Sequence, residues 1–282
     1  MRIIALFAVI VLVAGITAAA CGGGGGDNGG EFDITGEELI ERVLANEDRL
    51  ETSQFKIDIN GNLKGTTNGE YVEGTFVVDV DGAIDIVEME MRNEMTVQYN
   101  IRESGQSQLS TDILKMYFLD DFVYLGSQEG DGPAEWIKAD MSDDLWESQD
   151  LQSQQLDLIR GSDVKMLRTE NMRGVPCYVV EIIPDMDVLL EVIRSQVSGT
   201  AGMGLDEGSI TNFKNTTWYA RDTFFPVKAI DDYDITFEQG RDRLTGHYTT
   251  SMEMYNYNEP VTILLPREAE NADYVGSLDR YL

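Results

Sequence analysis

Apolar residues recur at every second position through much of this chain, and a period of two constrains the fold more than any other feature of the sequence. Phe55, Ile57 and Ile59 alternate with polar neighbours, and Phe76, Val78 and Val80 resume the pattern after a turn-rich stretch, residues 60–69. Residues 86–91 and 95–101 continue it. Residues 116–125 are interrupted by Asp120-Asp121, which reads as a tight hairpin, and 135–138 form a short strand. Residues 177–183, 212–221, 225–237, 243–256 and 261–265 complete the set. Successive side chains of a strand point to opposite faces, so this pattern predicts a sheet covered on one face and wet on the other. Strands joined by short turns pair antiparallel.

Helical signals are fewer. Thr35-Gly36-Glu37-Glu38 is a capping box, and Leu39, Ile40, Val43 and Leu44 follow at helical spacing. Arg49 suits the negative end of that helix, which should stop near Thr52. Residues 143–159 carry Leu145, Trp146, Leu151, Leu156 and Ile159 and predict a second helix ended by Gly161. Pro184 ends a strand, and Asp185 caps a third helix with Val188, Leu189, Val192 and Ile193 as its stripe. Residues 199–208 are glycine-rich and form a candidate gate. The expected fold class is α+β, a large curved antiparallel sheet with helices covering one face.

The amino terminus addresses a different question. Arg2 precedes an uncharged apolar run, residues 3–20, ending Thr17-Ala18-Ala19-Ala20, and Cys21 follows. This is the order of a bacterial-type lipoprotein signal peptide. The run is also long enough for a short retained membrane helix, and Ala18-Ala19-Ala20 fits general signal peptidase. A cysteine at that position, followed by a flexible stretch, selects lipidation. Residues 1–20 are then the signal peptide, 21–31 a tether, and 32–282 one folded domain. Seven of the nine residues 22–30 are glycine, and such a segment spans roughly 15–18 Å as a coil. The protein would sit at the extracytoplasmic face of a cell membrane, held by lipid on Cys21.

Charge and missing motifs narrow the function. The chain has 51 acidic and 21 basic residues, a net charge of −30, and losing Arg2 with the signal peptide makes it −31. Nucleic acid is excluded as a partner, because phosphate binding needs clustered Lys and Arg. His247 is the only histidine, which leaves no basis for a His-dependent triad or zinc site, and the chain is not expected to be an enzyme. Cys177 lies in the run Cys177-Tyr178-Val179-Val180, as expected of an inert buried thiol. Asp79-Val80-Asp81-Gly82 fails the spacing of a calcium loop. Asp231, Asp232 and Asp234 are expected to be exposed strand carboxylates. The glycine run lacks the Lys-Ser/Thr of a phosphate loop, and no cofactor is implied. Asn215-Thr216-Thr217 is a glycosylation sequon that a bacterial-type export signal makes irrelevant.

Four segments carry a family resemblance. They are Tyr124-Leu125 with Trp136-Ile137-Lys138; the run from Met172-Arg173-Gly174-Val175-Pro176 into Cys177; Trp218-Tyr219-Ala220-Arg221-Asp222-Thr223-Phe224-Phe225-Pro226-Val227-Lys228; and Tyr255-Asn256-Tyr257-Asn258-Glu259-Pro260 into Val261. In this order, after the lipobox, they resemble the LolA/LolB-like carrier superfamily, including LppX- and LprG-type envelope lipoproteins. The resemblance implies a half-open antiparallel barrel with helices at its mouth, holding a lipid or other amphiphile in an apolar cavity. A protein partner is not specified by it. Strand parity selects Phe76, Val78, Val80, Phe122, Tyr124, Tyr178, Val180, Trp218 and Val227 as cavity lining. The 12 methionines, among them Met89, Met91, Met95, Met116, Met252 and Met254, are adaptable lining. A filled core would show the same alternation.

Overall fold

A computed structural model describes residues 32–46, 49–67, 69–142, 146, 162–190, 208–276 and 278. They build one open, curved, twelve-stranded sheet, antiparallel except at one edge and not closed into a barrel. Two meanders make it. β1 (Thr52–Thr67), β2 (Glu70–Asp85), β3 (Glu90–Glu103), β4 (Gln106–Leu119), β5 (Phe122–Glu129) and β6 (Glu135–Asp140) run in order to one side. β7 (Asp163–Met172), β8 (Val175–Ile183), β9 (Ile210–Ala220), β10 (Pro226–Gln239) and β11 (Asp242–Tyr255) run in order from the other edge. β11 then pairs antiparallel with β1, and this seam joins the halves. β12 (Asp273–Gly276) adds a short parallel strand beside β6.

Direct cross-strand partners share a face, so the register sorts every side chain. One face carries Ile57 and Ile59 of β1, Phe76, Val78 and Val80 of β2, Val97 and Ile101 of β3, and Ala229, Tyr233, Ile235 and Phe237 of β10. α1 (Gly36–Leu44) packs on the same face near the β7 edge, with Leu39, Ile40 and Val43 against Tyr178, Val180, Ile182 and Tyr219. Its capping box forms as the spacing predicts: Thr35 Oγ1 accepts from the Glu38 amide, and Glu38 Oε2 accepts from the Thr35 amide. A second helical segment starts at Met186, capped by the Asp185 carboxylate on the Asp187 amide, and buries Leu189 and Leu190 over the centre of that face. Helices therefore lie on one face, as expected. The expected helix over 143–159 falls outside the described residues except for helical Trp146, and so do Val192, Ile193, residues 199–207 and the whole of 1–31.

Four boundaries differ from the sequence reading. α1 ends at Leu44 instead of near Thr52; beyond it, Asn46 donates to the Thr223 carbonyl and accepts from Arg49, which ties the chain to the β9–β10 connection. Residues 60–67 are strand, not turn. Residues 86–89 are a turn, because the Asp85 carboxylate accepts from the amides of Val87 and Glu88 and Met89 takes a positive φ. Residues 261–265 join no ladder; Ile263 instead covers Tyr117, Tyr124 and Trp136 together with Ala269 of a 3-10 turn at Arg267–Asn271. The Asp120-Asp121 hairpin is as expected, with both residues at positive φ, the requirement of a type I′ turn. The Asp79 to Gly82 stretch is plain strand.

The opposite face is wet along its middle and laced with ion pairs, among them Arg92–Asp81, Lys115–Glu94 and Lys228–Glu253. Asp58 and Asp79 oppose each other there. Loss of water around the Asp58 carboxyl raises its pKa, and the hydrogen bond and charge of Asp79 add to the rise. A carboxyl raised above its unfolded value binds its proton more tightly in the folded state, so it favours folding increasingly as pH falls through the folded pKa and opposes it once ionised. Asp58→Asn should therefore give a small rise in Tm at pH 7 that vanishes near pH 4, followed by thermal melts across that range. Both side chains are solvent-facing, which keeps the effect small. An equal Tm shift at both pH values would contradict it.

Candidate functional site

The nine residues expected to line one cavity fall on two faces. Phe76, Val78, Val80, Tyr178 and Val180 share the helix-covered apolar face. Phe122 and Tyr124 point the other way, into the patch around Trp136, with Lys138 over both rings. Trp218 and Val227 also lie on the other face, with Cys177 and Val179. The parity assumed within each strand holds, but the phase between strands does not. In β9, Tyr219 rather than Trp218 is the direct partner of Tyr178, and a one-residue offset moves a side chain through the sheet. Trp218 instead donates its indole N–H to Glu170 and lies under Arg168.

The five residues on the apolar face belong to a wider arrangement. Phe76, Tyr248, Tyr233 and Phe213 form a row of rings across β2, β11, β10 and β9, at centroid distances of 5.4, 5.5 and 6.1 Å. Gly61 makes this row continuous. It stands on β1 directly between Phe76 and Tyr248, and a Cβ there would meet the Phe76 ring at 2.1 Å. Gly82 receives the ring of Phe55 in the same way. Glycine within a strand often marks such a close approach.

Beside the rings lies a patch of buried polar groups that the strand pattern did not anticipate. Asp231 is 0% exposed, not an exposed carboxylate as the sequence suggested. It occupies the same parity as Ala229, Tyr233 and Ile235 and faces the core. Asn215 donates its amide to Asp231 Oδ1 at 2.7 Å, and Thr217 donates to Asn215 Oδ1 at 2.8 Å. Thr250 stands opposite Asp231 across the β10–β11 pair. Burial raises the Tyr233 phenol well above its ordinary pKa, helped by Tyr248 and Asp231. The readable signal was an Asp, an Asn and two Thr at apolar-parity positions of three neighbouring strands. Asn215 is buried, so the sequon does not present an accessible amide.

The remaining chemistry-bearing residues lie elsewhere. Cys177 is buried, and burial raises its thiol pKa, as an inert thiol requires. His247 is on the wet face between Asp234, 3.0 Å from Nδ1, and Asp232, 3.5 Å from Nε2. Among the described residues no group of three or more His, Cys, Asp or Glu is placed to hold a metal ion. Tyr178 donates to Asp33 Oδ1 at 2.8 Å, Arg221 pairs with Asp33 Oδ2 at 2.8 Å, and the Tyr178 hydrogen bond is the main cause of the lowered Asp33 pKa. This clamp ties the segment just before α1 to β8 and to the end of β9.

Among solved structures, a DUF1329 family protein from Desulfovibrio piger is similar at 12% identity, with 80% of this chain and 94% of that chain covered and a TM-score of 0.24. A putative outer membrane lipoprotein-sorting protein domain from Vibrio parahaemolyticus is similar at 10% identity, with 83% and 95% covered and a TM-score of 0.23. The MucA/MucB complex of Pseudomonas aeruginosa is similar at 13% identity, with 79% and 58% covered and a TM-score of 0.25. Likeness of this degree carries no functional argument, and it does not establish membership of the LolA/LolB-like superfamily. No curated protein matches the chain. A family model does match, over residues 35–273, and the chain belongs to the family of unknown function DUF6612.

Proposed function

We propose that this protein is an exported lipoprotein, anchored through acyl chains on Cys21, that binds or carries a lipid or other amphiphile against the helix-covered face of its sheet. The observation that carries the reading is the one-sidedness of the sheet. An apolar face runs from β3 through the seam to β8, and separate helical segments lie over it rather than further strands. A layer of helices can lift from a sheet without breaking its ladder, whereas a second sheet edge could not. The row of aromatic rings and the pliable Met95, Met252 and Met254 give that face surfaces suited to an acyl chain. The motif order resembling LolA/LolB-like carriers supports the same reading. The role is binding, not catalysis, and the net charge of −30 holds the domain off anionic headgroups.

Native mass spectrometry of full-length protein extracted gently from membranes tests the proposal. The expected spectrum shows the lipidated chain with one additional amphiphile per molecule. A spectrum with no lipid adduct and one stoichiometric protein partner would replace this reading with that of a scaffold or sensor lipoprotein.

A further inference from the structure

Four buried side-chain atoms among the described residues lack a hydrogen-bond partner: Asn93 Oδ1, Trp136 Nε1, Tyr233 Oη and Thr250 Oγ1. Two of the four are neighbours. Tyr233 pairs with Tyr248 and Thr250 with Asp231, one step apart along the β10–β11 ladder and on the same face. Tyr233 is 1% exposed and Thr250 0%. Thr250 lies close enough to act on the phenol as a weak polar contact, the smallest of the influences on its pKa, but neither oxygen meets hydrogen-bond geometry with the other or with any other group among the described residues. Leaving a buried hydroxyl without a hydrogen-bond partner destabilises the fold. Two such hydroxyls side by side on this buried face call for an occupant.

The surroundings define that occupant. Both hydroxyls can donate, and one acceptor oxygen placed between them would satisfy both. Asn215 and Thr217 are already bonded toward Asp231 and each other, so they frame the position without competing for it. The buried Asp231 carboxylate next to Thr250 repels an anionic group. The rings of Tyr248 and Phe76 extend the apolar surface away from it. We propose that Tyr233 and Thr250 anchor the carbonyl oxygen of a neutral acyl ester, whose hydrocarbon chain lies along the aromatic row toward Phe76. This rests on the binding role proposed above and specifies its ligand.

The test compares the full-length protein with the double variant Tyr233→Phe, Thr250→Val. Binding of 1-monooleoylglycerol, which carries the ester, and of hexadecane, which does not, is measured by native mass spectrometry alongside thermal melts. Because neither hydroxyl has a hydrogen-bond partner among the described residues, their removal should leave Tm unchanged or higher. Affinity for 1-monooleoylglycerol should fall about tenfold, with hexadecane binding unchanged. Thr250→Ser alone should keep most of the ester affinity, since it retains the hydroxyl. If the double variant misfolds, the single Tyr233→Phe protein should still lose about threefold for the ester alone. Equal ester affinity in wild type and variants would overturn the anchoring inference while leaving the binding role intact, a buried water being the occupant. Failure of the wild type to bind either probe would overturn both.

Discussion

Gly65→Ala should lower Tm by about 6–12 °C, the equivalent of about 3 kcal/mol in a domain of this size. Gly65 lies in β1 opposite Leu244 of β11, at the seam that joins the two meanders. A Cβ at this position would sit 1.9 Å from the Arg243 carbonyl oxygen and 2.9 Å from the Leu244 Cα. Both obstacles are backbone, so no rotamer change relieves them; the strands must separate. β1 and β11 are about as far apart in sequence as the domain allows, and their pairing is the sole ladder that connects β1–β6 to β7–β11 among the described residues. Prying it open therefore weakens a contact whose loop-closure cost is already high. Gly105→Ala is the control, since Gly105 also has a positive φ, of +81°, but nothing lies within 4 Å of its would-be Cβ. That variant should lose about 1 kcal/mol from backbone strain alone. Circular dichroism melts of both would decide the matter, and a Gly65→Ala protein no less stable than Gly105→Ala would mean the seam is not held by close approach.

The same glycines explain why the sequence could be read only in part. Local signals were legible because their causes are local. The Thr35–Glu38 capping box closes within one helical turn, and Asp120-Asp121 adopts the backbone its hairpin needs from its own two residues. Residues 60–67 were read as turn because Gly61 and Gly65 look like breakers. Their function is set by Phe76 and Arg243, distant in sequence, whose positions a one-dimensional pattern does not contain. β7 was missed for a related reason. It is an edge strand rich in charge, with Lys165 and Arg168 paired to Glu181 and Glu170, and it buries too little to alternate clearly. The candidate lining failed at the phase between strands. Within β5, Phe122 and Tyr124 were correctly placed on one face, but that face is the one covered by Ile263 and Ala269. Register between strands is fixed by pairing, not by composition. Asp231, Tyr233 and Thr250 were hidden by an opposite bias: polar residues in a strand are read as its wet side, and here two neighbouring strands, β10 and β11, turn them inward together.

Cys21→Ser should shift more than about nine-tenths of the protein from the membrane to the soluble fraction of the envelope, because under the proposed anchoring acyl chains on Cys21 supply nearly all of the membrane affinity. The net charge of −31 that would follow loss of Arg2 from the −30 total repels anionic headgroups instead of compensating for a missing anchor. Among the described residues no helix is long and apolar enough to cross a membrane. A single fourteen-carbon chain already gives an affinity on the order of 10⁴ M⁻¹, and two chains on a diacylglyceryl thioether make attachment stable. Serine at position 21 cannot form that thioether. Fractionation of cells expressing each form, with mass analysis of the mature amino terminus, reads the result directly. Wild type should carry a lipid-modified Cys21 and stay with membranes. If the variant also stays there, residues 3–20 act as an uncleaved helix or a protein partner holds the domain, and the lipid anchor is not what positions it.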